Sequence, residues 1–253
     1  SRVFSINQQY LLTYKKNFGD HNIDLLAGFE SYDYKNQALS GSKQKVYNPN
    51  IVELNNAINT PSANSSTANY ATAGFLFRAQ YDYLEKYFAS ASFRRDASSR
   101  FHPDNRWGNF WALSGGWRVS GEEFMKEFDW VNDLKIRFGY GVTGNNDFDA
   151  SYMANTLSRD QYWMLPSGSW AFVYGPSSNV NPYLGWEEKK EWNIGVDYSF
   201  FGNRMYGKFD YYRRKIDGMI YEVNVPQPPY PNGKQWQNIG EMESKDSSGK
   251  GAD

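Results

Sequence analysis

The chain has 253 residues, enough for one large β domain or two small ones, and a formal net charge of −1, so charge gives no case for nucleic acid or an acidic partner. It has no cysteine, which excludes a disulfide framework and a thiolate metal site, and His21 and His102 are too far apart in sequence to suggest a histidine-rich metal site. Aromatic residues make up 18% of the chain although its mean hydropathy is −0.75, a combination expected when half of each strand faces lipid and half faces water, and one also met in carbohydrate-binding β-sandwiches.

No stretch of 18 apolar residues exists, so no transmembrane helix is expected. Period-two alternation dominates instead, the pattern of strands with two unlike faces. It runs from about Val3 to Lys16, turns at Gly19-Asp20, and resumes from about Asn22 to Tyr34. A polar stretch rich in Asn, Ser and Thr, about Lys35 to Tyr70, has no sustained period and reads as a long connection. Three segments then follow closely. Phe75, Phe77, Ala79, Tyr81 and Tyr83 alternate with Arg78, Gln80 and Asp82. After a turn at Glu85-Lys86, Tyr87, Ala89, Ala91 and Phe93 alternate with Ser90, Ser92 and Arg94. After the loop Arg95 to Trp107, Trp111, Leu113, Gly115 and Trp117 alternate with Ser114, Gly116 and Arg118. GEEFMKEFDW (Gly121 to Trp130) has helical spacing at Phe124 and Phe128 and predicts one or two turns of helix.

The sixth segment sets Leu134, Ile136, Phe138, Tyr140 and Val142 against Lys135, Arg137, Gly139 and Gly141. A second long connection covers about Gly144 to Lys190. The seventh segment sets Trp192, Ile194, Val196, Tyr198 and Phe200 against Asn193, Gly195 and Asp197. After a Gly202-Asn203 turn, the eighth sets Met205, Gly207, Phe209 and Tyr211 against Lys208 and Asp210. A Pro-rich connection follows, and Glu243 to Asp253 is small, polar and patternless.

Short and long connections alternate, which in serial antiparallel hairpins puts all tight turns at one end. Outer-membrane barrels have this plan, with short periplasmic turns and long extracellular loops. One face carries the apolar residues Phe75, Phe77, Tyr81, Leu113, Ile136, Phe138, Tyr140, Ile194, Val196 and Phe209, expected to face lipid. The other carries Arg78, Asp82, Arg94, Arg118, Lys135, Arg137, Asp197, Lys208 and Asp210, expected to face a watered lumen. So many charges in a small dry core would be very costly unless all were paired. Rings near the segment ends, among them Tyr83, Tyr87, Trp117, Trp192 and Tyr211, are expected to form two girdles at headgroup level.

Four blocks resemble the SusC/RagA-type TonB-dependent outer-membrane transporters of Bacteroidetes. They are YDYLEKYFASASFRRDASSRFHPDNRWGNFWALSGGWRVSGEEFMK, WVNDLKIRFGYGVTGNN, NPYLGWEEKKEWNIGVDYSFFGNRMYGKFDYYRRKIDGMI and NVPQPPYPNGKQWQNIGEMES. They occur in order and cover most of the chain from about Ala73 to Ser244. The resemblance implies an all-β, antiparallel transmembrane barrel of the 22-stranded type, enclosing a plug. It implies a SusD-like lipoprotein as a hinged lid and energy from TonB through an N-terminal TonB box. The site implied is the bacterial outer membrane, crossed many times, with dimers of transporter–lipoprotein pairs. No plug motif or TonB box is recognisable here, nor the family's final strand. Residues 1–242 are therefore expected to be about eight contiguous strands of the wall of a longer protein, with 243–253 unassigned.

No catalytic constellation is present and no enzymatic activity is expected. Glu122, Glu123, Glu187 and Glu188 are paired carboxylates, but they fall in a turn and at a strand start rather than across a cleft. GNNDFDAS (Gly144 to Ser151) offers oxygen ligands for calcium without the spacing of an EF-hand and reads as an ordinary loop, so no cofactor is expected. The candidate contact region for substrate or partner is the Gly144 to Lys190 connection, through Asn145, Asn146, Tyr162, Trp163, Trp170, Phe172 and Tyr174. Rings stack on sugar faces and amides bond hydroxyls; the same rings could equally pack the loop against its neighbours or the lid. The function expected is TonB-dependent import of oligosaccharides or peptides. The rival is a soluble carbohydrate-binding β-sandwich module without a transport role.

Overall fold

A computed structural model describes residues 1–253 apart from 52, 59–61, 149–156, 177–179, 228–232 and 252–253, and describes the backbone alone for 157–163, 170, 172–176 and 249–251. The strands are β1 (Arg2–Phe18), β2 (His21–Ser42), β3 (Ser62–Tyr83), β4 (Tyr87–Ser98), β5 (Trp107–Arg118), β6 (Val131–Asn145), β7 (Leu157–Met164), β8 (Trp170–Pro176), β9 (Glu187–Phe200), β10 (Met205–Asp217), β11 (Ile220–Asn224), β12 (Lys234–Asn238) and β13 (Glu241–Gly251). Nine form one sheet in the order β1-β2-β3-β4-β5-β6-β9-β10-β13, and its pairings are all antiparallel. β7-β8 and β11-β12 are separate two-stranded hairpins within the connections. Among the described residues no second sheet packs face to face on the nine-stranded one, as a sandwich would require.

Alternation in the sequence becomes two unlike faces because the register holds across the sheet. Tyr81, Ala89, Gly115, Phe138, Ile194 and Tyr211 form one cross-strand row through six strands. One residue along, the row is Asp82, Phe88, Gly116, Arg137, Gly195 and Asp210. A slip of one residue anywhere would exchange these rows, so the pattern fixes the register. The apolar face is left open: Leu113 is 51% exposed, Phe138 48% and Phe209 50%. A continuous apolar face of this kind needs a covering phase.

The connections alternate between the two ends of the sheet, and length separates them except that 119–130 is longer than 99–106. Residues 19–20, 84–86, 119–130 and 201–204 lie at one end; the described residues of the connections that follow β2, β4, β6 and β10 lie at the other. Positive φ at Gly19, at Leu84 with Glu85, and at Phe201, Gly202 and Asn203 gives the tight turns the twist that antiparallel strands need. Rings gather in two bands on the apolar face. Tyr83 stacks between His21 and Tyr87 near the tight turns, and Trp130 meets Phe200. Toward the loops, Phe75 meets Trp107, Trp111 meets Tyr140, and Trp192 meets Tyr211. Trp107 and Trp117 bound β5; ten residues at about 3.4 Å each, tilted by about 40°, separate the bands by about 25 Å, the height of an outer-membrane apolar belt.

Four expectations need correction. β2 and β3 continue through much of the polar stretch, as 22 residues each, and only 43–61 connects them. The helix between β5 and β6 is instead two short 3-10 turns, Val119–Gly121 and Glu123–Met125, with Phe124 and Phe128 exposed, so the helical spacing has no apolar partner to pack on. The Pro-rich connection contains β11 and β12. The polar stretch after Met242 belongs to β13, paired with β10 from Asp217↔Glu241 to Gly207↔Gly251, which makes nine strands in the sheet rather than eight.

Candidate functional site

The polar face is where the chain can do chemistry. Near the tight turns it surrounds a concavity of about 810 Å³ whose lining includes Lys15, Asp24, Asp82, Lys135 and Arg137. Arg137 is the centre of the charge pattern. Its Nε and Nη2 donate to both oxygens of Asp197 at 2.7 and 2.9 Å, and Nη2 also donates to Asp210 at 2.9 Å. The register brings these three together from β6, β9 and β10. Lys15 pairs with Asp24 at 2.9 Å and Arg118 with Asp133 at 3.3 Å, while Lys135 sits over the Phe88 ring at 4.1 Å. Asp82 accepts from Asn22 at 2.9 Å. Arg78 lies on the same face, opposite Leu26 and Ser92, and Lys208 lies opposite Asp197.

Toward the loops, Arg94 on β4 donates to Glu30 on β2 at 3.0 Å and to Asp96 at 3.2 Å, and Gln9 donates to Glu30 at 2.5 Å. Gly74 on β3 makes room for this group: a Cβ there would collide with the Asp96 carboxylate. Asp96, Tyr32 and Tyr70 were not singled out in the sequence. Their signal was only that they share the alternation parity of Arg78 and Arg94.

The loop end is welded together by an apolar knot. Phe101, Phe148 and Leu184 are buried, with Trp186, Ile220 and Trp236 packed against them. Phe101 meets Trp186 at 5.2 Å and Phe148 at 5.4 Å, and Phe148 meets Trp236 at 5.8 Å. Trp186 joins the knot to the wall through an edge contact with Phe110 at 5.2 Å and donates Nε1 to the Arg106 carbonyl at 3.0 Å. Asparagines close the backbone: Asn238 Nδ2 donates to the carbonyls of Gly185 and Gly218, and Asn181 Nδ2 to that of Trp236. These residues come from connections far apart in sequence, so no local pattern announced the knot.

The candidate contact residues are brought only partly together. Asn145 donates to Glu187 at 3.2 Å, and Asn146 to the Tyr70 hydroxyl at 3.1 Å. Asn146 also accepts from Arg100, whose guanidinium lies over the Tyr70 ring at 4.7 Å. Tyr162, Trp163, Trp170, Phe172 and Tyr174 have strand backbone in β7-β8, with Tyr162 opposite Phe172, but their side chains lie outside the described residues. Of the GNNDFDAS stretch, 149–151 lie outside the description; Asp147 pairs with Arg100 at 3.2 Å. No cluster of three or more metal-ligating side chains occurs among the described residues.

At the tight-turn end, Glu122 accepts from Tyr87 at 2.6 Å, Trp117 at 3.0 Å and Lys86 at 3.3 Å. These donors hold its pKa below the ordinary glutamate value, the Tyr87 hydrogen bond contributing most. Glu187 accepts from the Ile220 backbone and Glu188 pairs with Lys190, so the carboxylates brace strands and turns.

A family model described as "TonB dependent receptor-like, beta-barrel" matches residues 2–245. The chain belongs to that family. Its members are β-barrel proteins of the outer membrane, receptors and transporters rather than enzymes. The chain is similar to TonB-dependent receptor SusC of Bacteroides thetaiotaomicron, 29% identical over 95% of this chain and 24% of the relative. It is similar to TonB-dependent receptor P39 of Formosa agariphila, 34% identical over 96% of this chain and 23% of the relative. Among solved structures it matches the RagAB peptide transporter with a TM-score of 0.84 and 25% identity, over 98% of this chain and 27% of that one. The chain thus spans about a quarter of the length of these relatives.

Proposed function

We propose that this chain is a run of barrel wall in an outer-membrane nutrient importer. The protein would take up oligosaccharides or peptides in a TonB-dependent way, with a SusD-like lipoprotein as its lid. The observation that carries the reading is the register, shifted only at Val131/Asp133 between β6 and β9 among the pairings of the nine-stranded sheet, that sets an exposed apolar face against a charged one. The first suits lipid and the second a watered lumen. In this reading the rows through Phe138 and Leu113 meet acyl chains, and the rows through Arg137 and Ser114 line the passage. Substrate is captured under the lid, the plug is rearranged by TonB, and cargo passes along the polar wall. The wall itself performs no covalent step. SusC, P39 and RagAB support the reading by likeness, and the names of the last differ on cargo only in that RagAB is described as a peptide transporter.

The test is made on the full-length protein in its native host. It should leave the membrane only with detergent and co-purify with a lipoprotein. Uptake of its cargo should stop when TonB is deleted. A full-length protein that is soluble without detergent, or whose uptake is unchanged without TonB, overturns the proposal.

A further inference from the structure

A niche of about 280 Å³ opens on the polar face between β1–β4 and the loop knot. Glu30, Arg94 and Asp96 form its floor, and Tyr32, Tyr70 and Trp186 give it three half-buried rings. We propose that it binds one uncharged sugar ring of an oligosaccharide. The proposal rests on reading this face as the import passage, and it names the cargo class at that site.

Three observations favour this ligand. First, the rings offer apolar surface while the floor offers donors and acceptors, as a small ring with C–H faces and hydroxyl edges requires. Tyr32 and Tyr70 meet edge-on at 6.3 Å, so they present two differently oriented walls. Secondly, Arg94 is already shared by Glu30 and Asp96, at 3.0 and 3.2 Å. The floor therefore carries one surplus negative charge, which disfavours sulfated or acidic sugars, while fixed carboxylate lone pairs remain to accept from hydroxyls. Thirdly, the backbone under the niche is already engaged: Glu30 pairs with Gly74, and Gly74 with Asp96. A peptide would find no unpaired strand edge there for main-chain recognition.

The niche is also held open. Gly74 leaves space for Asp96, Asn146 and Arg100 hold Tyr70 from the loop side, and Phe110 and Phe101 hold Trp186. Tyr32, by contrast, has its ring contact with Tyr70, so its truncation disturbs the niche more than the sheet.

The experiment titrates the detergent-solubilised full-length protein, with its lipoprotein, against neutral gluco-, manno-, xylo- and fructo-oligosaccharides, a sulfated oligosaccharide and a basic peptide, by calorimetry. Wild type should bind at least one neutral oligosaccharide better than the sulfated one. Tyr32→Ala and Glu30→Gln should each weaken that binding by about tenfold or more, with the amount of folded protein in the outer membrane unchanged. Equal affinity of wild type and both variants overturns the niche while leaving transport standing. Binding of the peptide alone, or binding of no member of the panel, overturns the ligand class. TonB-independent uptake with the variant effects intact would overturn the transport reading and leave the niche.

Discussion

The ring of Phe110 on β5 occupies the space that a side chain on Gly144 of β6 would need, and it presses on Gly108 in the same way. The two glycines form a slot, and the slotted ring carries Trp186 and the loop knot. Gly144→Ala should force Phe110 out and cost about 1–3 kcal/mol. Gly185→Ala, where a Cβ meets nothing within 4 Å, should be nearly neutral. Unfolding midpoints in detergent distinguish the two, and equal midpoints would refute the slot.

Leu113 and Ser114 are neighbours on β5 that point to opposite faces. Leu113→Lys should lower folded yield in the outer membrane, at a cost of about 2–4 kcal/mol if its row lies near the midplane. Ser114→Lys should assemble normally, because its hydroxyl partner Ser90, at 2.8 Å, borders open space. Heat-modifiable gel mobility reads the folded fraction, and equal tolerance would reverse the facing.

Leu84 and Glu85 both hold positive φ in the turn between β3 and β4. Neither residue favours that region, which Asn and Gly accept readily. Replacing the pair by Asn-Gly should raise stability by about 1 kcal/mol or more. Lower stability would mean that the Leu84 side chain contributes more than its backbone costs.

Arg137 holds Asp197 and Asp210 together across three strands. Arg137→Met should leave two facing carboxylates and cost about 1–3 kcal/mol, partly discounted because the group is about one-third exposed. Adding Asp210→Asn should recover part of the loss, and a double-mutant cycle measures the coupling.

Glu122 gives the tight-turn end a pH dependence. Its folded pKa is lowered, so its contribution is complete above the unfolded value and is lost as pH falls through the folded one. The protection of 119–130 against hydrogen exchange, relative to the intrinsic rate at each pH, should therefore fall as pH drops through the carboxylate range. In Glu122→Gln that step should vanish, with the turn looser at neutral pH.

The sheet was legible in the sequence because apolar and polar residues alternate along its strands. Phe77 and Arg78 therefore declare their faces without any structure. That legibility ends where both faces are polar. Lys35 to Ser42 and Ser62 to Asn69 are strand, yet they lost the alternation that identifies strands, and β13 was missed for the same reason. The turn helix was misread because Phe124 and Phe128 imitate an amphipathic spacing while both stay exposed. The knot needed coordinates, since Phe101, Leu184 and Trp236 meet only after the strands bring distant loops to one rim.

The pairing of charges on the polar face has a consequence for how the wall acts at a distance. Lys15 with Asp24 and Arg214 with Glu191 match one charge against one, whereas Arg94 with Glu30 and Asp96, and Arg137 with Asp197 and Asp210, each keep one surplus negative charge. A solute a Debye length away would feel little of the matched pairs and a screened remnant of the surplus. Such a surface can replace a hydration shell over short range, and the potential that the Arg94 and Arg137 groups keep is negative. In the proposed importer, passage of a neutral solute along it should therefore respond weakly to ionic strength.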